Sequence, residues 1–149
     1  MPTASPTDAT TRPAGPAFDA RTVFSGLRAF VGIVSWVSPS ASWKVFGVGT
    51  IGTDARAPLV TRLFGVRECA LAVALQSPEP AVRRAALQTG LVVDGADIVA
   101  SLISLRKGSP KWIWLTFVAG ASAFIGLGIA ALTEEERRAA VSVAGPPVD

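Results

Sequence analysis

The residues best able to do chemistry in this sequence are charged groups set inside apolar runs. Asp94 and Asp97 stand near the middle of the run from Ala81 to Lys107, which is long enough for a membrane-spanning helix. The adjacent pair Arg67 and Glu68 lies near the centre of the stretch from about Arg56 to Gln76, and Arg28 lies inside one from about Ala20 to Val37. An ionised side chain at that depth costs from about 2.5 kcal/mol upward, so these groups must meet one another. Arg28 and Arg67 nearly balance Glu68, Asp94 and Asp97, leaving one carboxylate in excess, with Arg62 a further cation closer to the interface. Such a set supports two chemistries. It can be a buried ion-pair network that fixes helix order and register. It can equally line a small polar cavity for proton or small-molecule handling, which intramembrane ionisable residues often mark.

Other site classes lack their residues. The chain has no histidine and a single cysteine, so no internal disulfide can form and a zinc or haem site of the usual kind has no ligands. Cys69 lies in an apolar segment and reads as packing. With no metal-ligand cluster, no cofactor ligands and no nucleophile beside a base, no catalytic residue is assigned, which argues against an autonomous enzyme. The net charge of +3 is scattered over tails and short loops with no basic run, so nucleic-acid binding has no support and anionic lipid headgroups are the plainer partner. Of the 149 residues 50% are hydrophobic and 17% charged, and the mean hydropathy is +0.45. That is too apolar for an ordinary soluble domain and places the chain in the membrane.

The elements that position the charges can be read in order. Residues 1–18, rich in Pro, Thr, Ala and Ser, form a disordered tail without the regions of a secretory signal. Asp19 caps a first helix to Val37, stopped by Pro39, in which Ser25, Arg28, Gly32 and Ser35 share one face. Ser38 to Thr53, with Trp43, Phe46 and three glycines, reads as a short interfacial helix and a flexible turn. Ser77 to Pro80 break the second span from the third, with Pro78 in the first turn of the next helix behind a Ser77 cap. On the third, Leu87, Gly90, Asp94, Asp97, Ser101 and Ser104 lie on one face opposite an aliphatic one. Gly108 to Pro110 turn into a fourth, uncharged run from about Trp112 to Leu132, ended by the Glu134 to Arg138 charge cluster.

Four spans with short connections predict an all-α, integral-membrane, up-and-down four-helix bundle over residues 19–133, followed by a C-terminal tail over 134–149. The lysines and arginines on the two sides tie, and Arg12 and Arg21 in the lead favour cytoplasmic termini. The small-residue series Ser122, Gly126, Ala130 predicts close helix association, within the bundle or with another copy or membrane partner. Across the tight turn at 77–80, Arg67 and the two aspartates differ in depth by only about one helical turn. Arg67 is therefore predicted to pair with Asp94, Asp97 or both.

The run Arg62-Leu63-Phe64-Gly65-Val66-Arg67-Glu68, then Arg83-Arg84, then Asp94 and Asp97, resembles the pattern of small four-span bacterial membrane proteins of unknown function, grouped with the DoxX-like proteins. The resemblance covers roughly Val23 to Leu132 and implies a four-helix membrane bundle with no activity attached. Some DoxX-like relatives are associated with oxidoreductase or quinone-linked systems. Asp94-Gly95 is similar to a fragment of the aspartate motif of membrane alcohol phosphotransferases, whose later aspartates this chain lacks. The leading expectation is a structural or accessory membrane subunit with a buried Arg28, Arg67, Glu68, Asp94, Asp97 network. A small proton-coupled or small-molecule carrier, or a subunit of a quinone- or lipid-linked redox system, stands as the alternative.

Overall fold

The computed structural model describes residues 19–47, 49, 55–108 and 111–144. The tail at 1–18 and most of the glycine-rich turn lie outside the described residues. Helices are the only regular elements among those described: α1 Ala20–Val37, α2 Pro39–Val45, α3 Arg56–Leu75, α4 Pro80–Arg106 and α5 Lys111–Ala144. The protein is all-helical, and α4 and α5 are long and apolar enough to cross a membrane. The expected first two spans, α1 and α3, do not reach that apolarity. Arg21 and Arg28 interrupt the 18 residues of α1, and Arg56, Arg62, Arg67 and Glu68 the 20 of α3.

The long helices close a circuit, α1 on α3, α3 on α4, α4 on α5 and α5 on α1, while α2 lies across one end on α1 and α3. Cross-helix pairs run in opposite chain senses. Ser25 Oγ donates to the Ala72 carbonyl at 3.0 Å while Arg62 Nε donates to the Trp36 carbonyl at 3.3 Å, so α1 and α3 are antiparallel. They are closest at two glycines. A Cβ on Gly32 would lie 2.8 Å from the Gly65 carbonyl oxygen, and one on Gly65 would lie 2.7 Å from that of Gly32.

Local chemistry explains the boundaries. Asp19 occupies the N-cap position of α1, but its carboxylate makes no backbone cap; it accepts from the Thr22 hydroxyl at 2.6 Å. That bond, with Arg21 and Arg138 nearby, holds its pKa below the usual carboxylate range. Pro39 not only ends α1 but starts α2, where a missing N–H costs nothing, behind a Ser38 hydroxyl that accepts from Ala41 N–H at 3.3 Å. At the next turn Pro80, not Pro78, opens the helix. Pro78 stays in the connection because Pro80 disfavours helical backbone at the residue before it, and Glu79 is extended; Arg83 Nη1 donates to the Ser77 and Pro78 carbonyls at 3.1 and 2.9 Å.

The last helix also departs from expectation. It does not stop near Leu132 but continues through the charge cluster to Ala144. Glu134 to Ala140 are mostly strong helix formers, Arg138 pairs with Glu134 one turn back, and Arg83 holds Glu135 through two bonds of 2.9 and 3.0 Å. Arg84 reaches Glu136 at 3.3 Å. The run expected to be merely solvated is therefore clasped to α4.

Polarity is arranged inside out. The stripe Ser25, Arg28, Gly32, Ser35 of α1 faces inward and is buried, as are Glu68 on α3 and Asp94 on α4. Leu27, Phe30, Ile33, Leu59, Leu63 and Val73 are exposed on the outside of α1 and α3. An apolar plug of Phe24, Leu75, Ala86, Leu87 and Ala131 fills the end beside the α3–α4 turn.

Ser122, Gly126 and Ala130 are exposed, and a Cβ at Gly126 would meet nothing within 4 Å. Their association within the bundle is thereby overturned, because that face turns outward. Gly128 is the small residue of α5 that packs, its added Cβ lying 3.0 Å from Leu91 Cδ2.

Candidate functional site

The five charged residues singled out in the sequence meet beyond the apolar plug, as an alternating chain rather than a cluster. Arg28, from α1, has no exposed surface. Its Nη1 donates to Glu68 Oε2 at 2.5 Å and its Nη2 to Asp94 Oδ2 at 2.6 Å. Glu68 then presents its other oxygen to Arg67, accepting from Nε at 3.1 Å and Nη2 at 3.0 Å. Arg67 in turn grips Asp97 with two bonds, 3.2 and 2.8 Å. The order is Asp94, Arg28, Glu68, Arg67, Asp97, so the chain of charges begins and ends on α4, one helical turn apart. Charge-assisted and partly bidentate bonds of this kind are the strong ones.

Apolar neighbours prepare the seat of Arg28. Its guanidinium carbon lies 4.6 Å from the centroid of the Phe24 ring and 4.9 Å from that of Phe124, and the rings pack edge to face at 5.7 Å. Gly90 makes the room, since a Cβ there would come within 2.9 Å of Nη2. Arg28 Nε is buried without a hydrogen-bond partner among the described residues. Arg67 sits with its guanidinium carbon 4.7 Å from the Phe64 centroid.

The two halves of the chain differ in access. Glu68 and Asp94 are 1% and 2% exposed, whereas the side chains of Arg67 and Asp97 are 32% and 34% exposed. Both side chains line a cavity of about 310 Å³ between α2 and the ionic chain, whose lining also includes Trp43, Phe46, Phe64, Phe117 and Phe124 with Glu68 and Asp94. A neighbouring cavity of about 430 Å³ shares Val60, Phe64, Asp97 and Phe117, which places Asp97 at the seam of the two. The position of α2 is fixed by Ser42 bonded to Ser35 at 2.9 Å and by the Trp43 indole donating to Thr61 at 2.9 Å.

Of the pairings expected for Arg67, the structure shows the one with Asp97; Asp94 goes to Arg28 instead. Arg62 is exposed and outside the chain. Sequence reasoning missed Phe24, Phe124 and Gly90 around Arg28, and missed α2 as a cavity wall. The signal for Gly90 was present, because it lies on the same helical face as Asp94 and Asp97. No group of three His, Cys, Asp or Glu side chains among the described residues is arranged to hold a metal ion. Arg67→Ala combined with Asp97→Ala in a double-mutant cycle is expected to show a coupling of about 0.5–3 kcal/mol in detergent unfolding. The Arg67 and Asp94 cycle, between residues linked only through Arg28 and Glu68, is expected to show a smaller coupling, and the reverse ranking would contradict the pairing.

No protein-family model, curated protein or solved structure matches this chain.

Proposed function

We propose that the chain is a multi-pass integral membrane protein in which α1, α3, α4 and α5 all cross the bilayer as an up-and-down four-helix bundle, with the cavity beside Arg67 and Asp97 holding a small, mostly apolar molecule. The observation that carries it is the inverted polarity. Arg28, Glu68 and Asp94 are enclosed while large aliphatic and aromatic side chains stand outside on α1 and α3 as well as on α4 and α5. Water would penalise such a surface, whereas lipid accepts it once the charges are paired within. The cavity adds the second element, since apolar walls with a few convergent polar groups suit a small-molecule site. Cytoplasmic termini, a midplane depth for the ionic chain and contact with a second copy through the exposed Ser122, Gly126, Ala130 face belong to the same proposal. So does the DoxX-like kinship, which rests on the run Arg62 to Glu68 with Asp94 and Asp97 in the sequence.

The reading as a structural or accessory subunit is favoured by a different observation, that Arg28 ties three helices together with no surface left to offer a ligand. One experiment serves both. The protein is expected to resist carbonate extraction and, released from membranes in a lipid-preserving polymer, to carry a bound small molecule visible by native mass spectrometry. Gly120→Phe fills the cavity from its wall and should fold but lose that mass. Extraction by carbonate overturns the membrane reading; a wild type with no bound mass, and with a melting curve that Gly120→Phe leaves unchanged, favours the structural role.

A further inference from the structure

The cavity's charge and walls together select a class of occupant, an inference that rests on the cavity reading above. The ionic chain holds three carboxylates and two guanidiniums, and both guanidiniums are already committed to carboxylates. Glu68, Asp94, Asp97 and Arg67 line the cavity, but Glu68 and Asp94 are nearly as enclosed as Arg28, so Asp97 and Arg67 are the accessible charges. The five groups together carry one net negative charge, which a low-dielectric setting makes costly until something positive is bound. Trp43, Phe46 and Phe117 add three rings to the cavity lining, beside Phe64 and Phe124, which already pack on Arg67 and Arg28. Their faces attract cations, most strongly where water is excluded.

A metal ion does not suit this site, since no three His, Cys, Asp or Glu side chains among the described residues are grouped to replace its hydration shell. The fitting cation is one whose charge is spread over carbon and weakly hydrated. We propose that the cavity binds a small organic monocation, an alkylated ammonium head on an apolar body, with the head beside Asp97 and the body among the rings of Trp43, Phe46 and Phe117. Asp97 is the natural counter-ion because it is the accessible end of the chain, held from one side by Arg67 and open to both cavities.

The test uses the full chain in nanodiscs of phosphatidylcholine, with empty discs as the blank for partitioning. Three probes of similar size are compared by tryptophan quenching and calorimetry: benzyltrimethylammonium, its uncharged carbon isostere neopentylbenzene, and benzenesulfonate. The cation is expected to bind about tenfold or more tighter than the isostere, and the sulfonate weakest of all. Asp97→Asn leaves two carboxylates against two guanidiniums and should bring the cation down to the level of the hydrocarbon. Phe117→Leu, which leaves the ionic chain intact, should reduce the preference about two- to fivefold.

Equal binding of cation and hydrocarbon overturns this inference while leaving the cavity reading in place, and means that a proton balances the chain. Tighter binding of the sulfonate makes Arg67 the anchor and overturns it as well. A cation preference that survives both substitutions removes the roles given to Asp97 and the rings. Failure of all three probes to bind overturns this inference and the cavity reading together.

Discussion

Arg28→Met is expected to lower the unfolding free energy by about 3–5 kcal/mol, because it removes one partner of a buried ionic arrangement and leaves the others stranded. Methionine fills much of the same space, so the loss is electrostatic rather than a cavity effect. Glu68 and Asp94 would remain 1% and 2% exposed with their short bonds to Arg28 gone. Glu68 would keep Arg67, but Asp94 would keep no charged partner. Replacing the arrangement as a unit, with Arg28→Met, Glu68→Gln and Asp94→Asn together, is expected to recover most of the stability, since removing every charge at a buried site is often nearly neutral. Reversible unfolding in mixed micelles, followed by circular dichroism, measures both. A single mutant within about 1 kcal/mol of wild type would mean that the carboxylates do not carry the charges assigned to them.

Gly32→Ala should be the second most damaging change, although it adds a single methyl group. That carbon would lie 2.6 Å from Cys69 Sγ, 2.8 Å from the Gly65 carbonyl oxygen and 2.9 Å from the Cys69 amide nitrogen. Two of the three obstacles are backbone atoms, which cannot rotate aside, so α1 and α3 would have to separate. Overpacking of this kind costs about 1–3 kcal/mol, and here the separation also strains the Arg28–Glu68 and Ser25–Ala72 bonds between the same helices. Gly65→Ala should behave alike, its added carbon lying 2.7 Å from the Gly32 oxygen and 2.9 Å from the Trp36 nitrogen. Gly26→Ala, on the same helix with nothing within 4 Å, should instead stabilise by about 0.5–1 kcal/mol through helix propensity. Melting curves showing the same sign for Gly26→Ala and Gly32→Ala would refute the close crossing.

Much of this was legible in the sequence, for reasons that particular residues make plain. Proline, glycine and serine at 38–39, 77–80 and 108 mark the helix ends because their backbone chemistry is local. The buried face of α1 was readable because Ser25, Arg28, Gly32 and Ser35 keep helical spacing among aliphatic residues. Depth counting brought Arg67 near two aspartates but could not choose between them, since the choice depends on how α4 is rotated about its axis. It brought Arg28 to the same depth without assigning it to Asp94, because the two belong to helices that are not adjacent in the chain or in the circuit. The C-terminal third of α5 was misjudged because Glu135 and Glu136 find their partners 52 residues earlier, at Arg83 and Arg84. A small-residue series on α5 pointed to Gly126, yet the contact falls on Gly128, two positions and about half a turn away. No local pattern outlines the cavity, because its walls come from every helix.

The order in which the charges are made sets a schedule for biogenesis. Arg28 leaves the ribosome first, with Glu68 following 40 residues later and Asp94 66 residues later. At about 5–20 residues per second, roughly 3–13 s pass between the appearance of Arg28 and that of its second carboxylate. On the proposed four-span topology, α1 emerges with a guanidinium that has nothing to neutralise it, so α1 would rest at the translocon or the headgroup layer until α3 arrives. Insertion would then be cooperative, with α1 and α3 entering together along the Gly32 and Gly65 crossing and α4 closing the arrangement. A nascent chain halted before Glu68 should therefore be peripheral to the membrane, and one halted after Asp97 should be embedded in it.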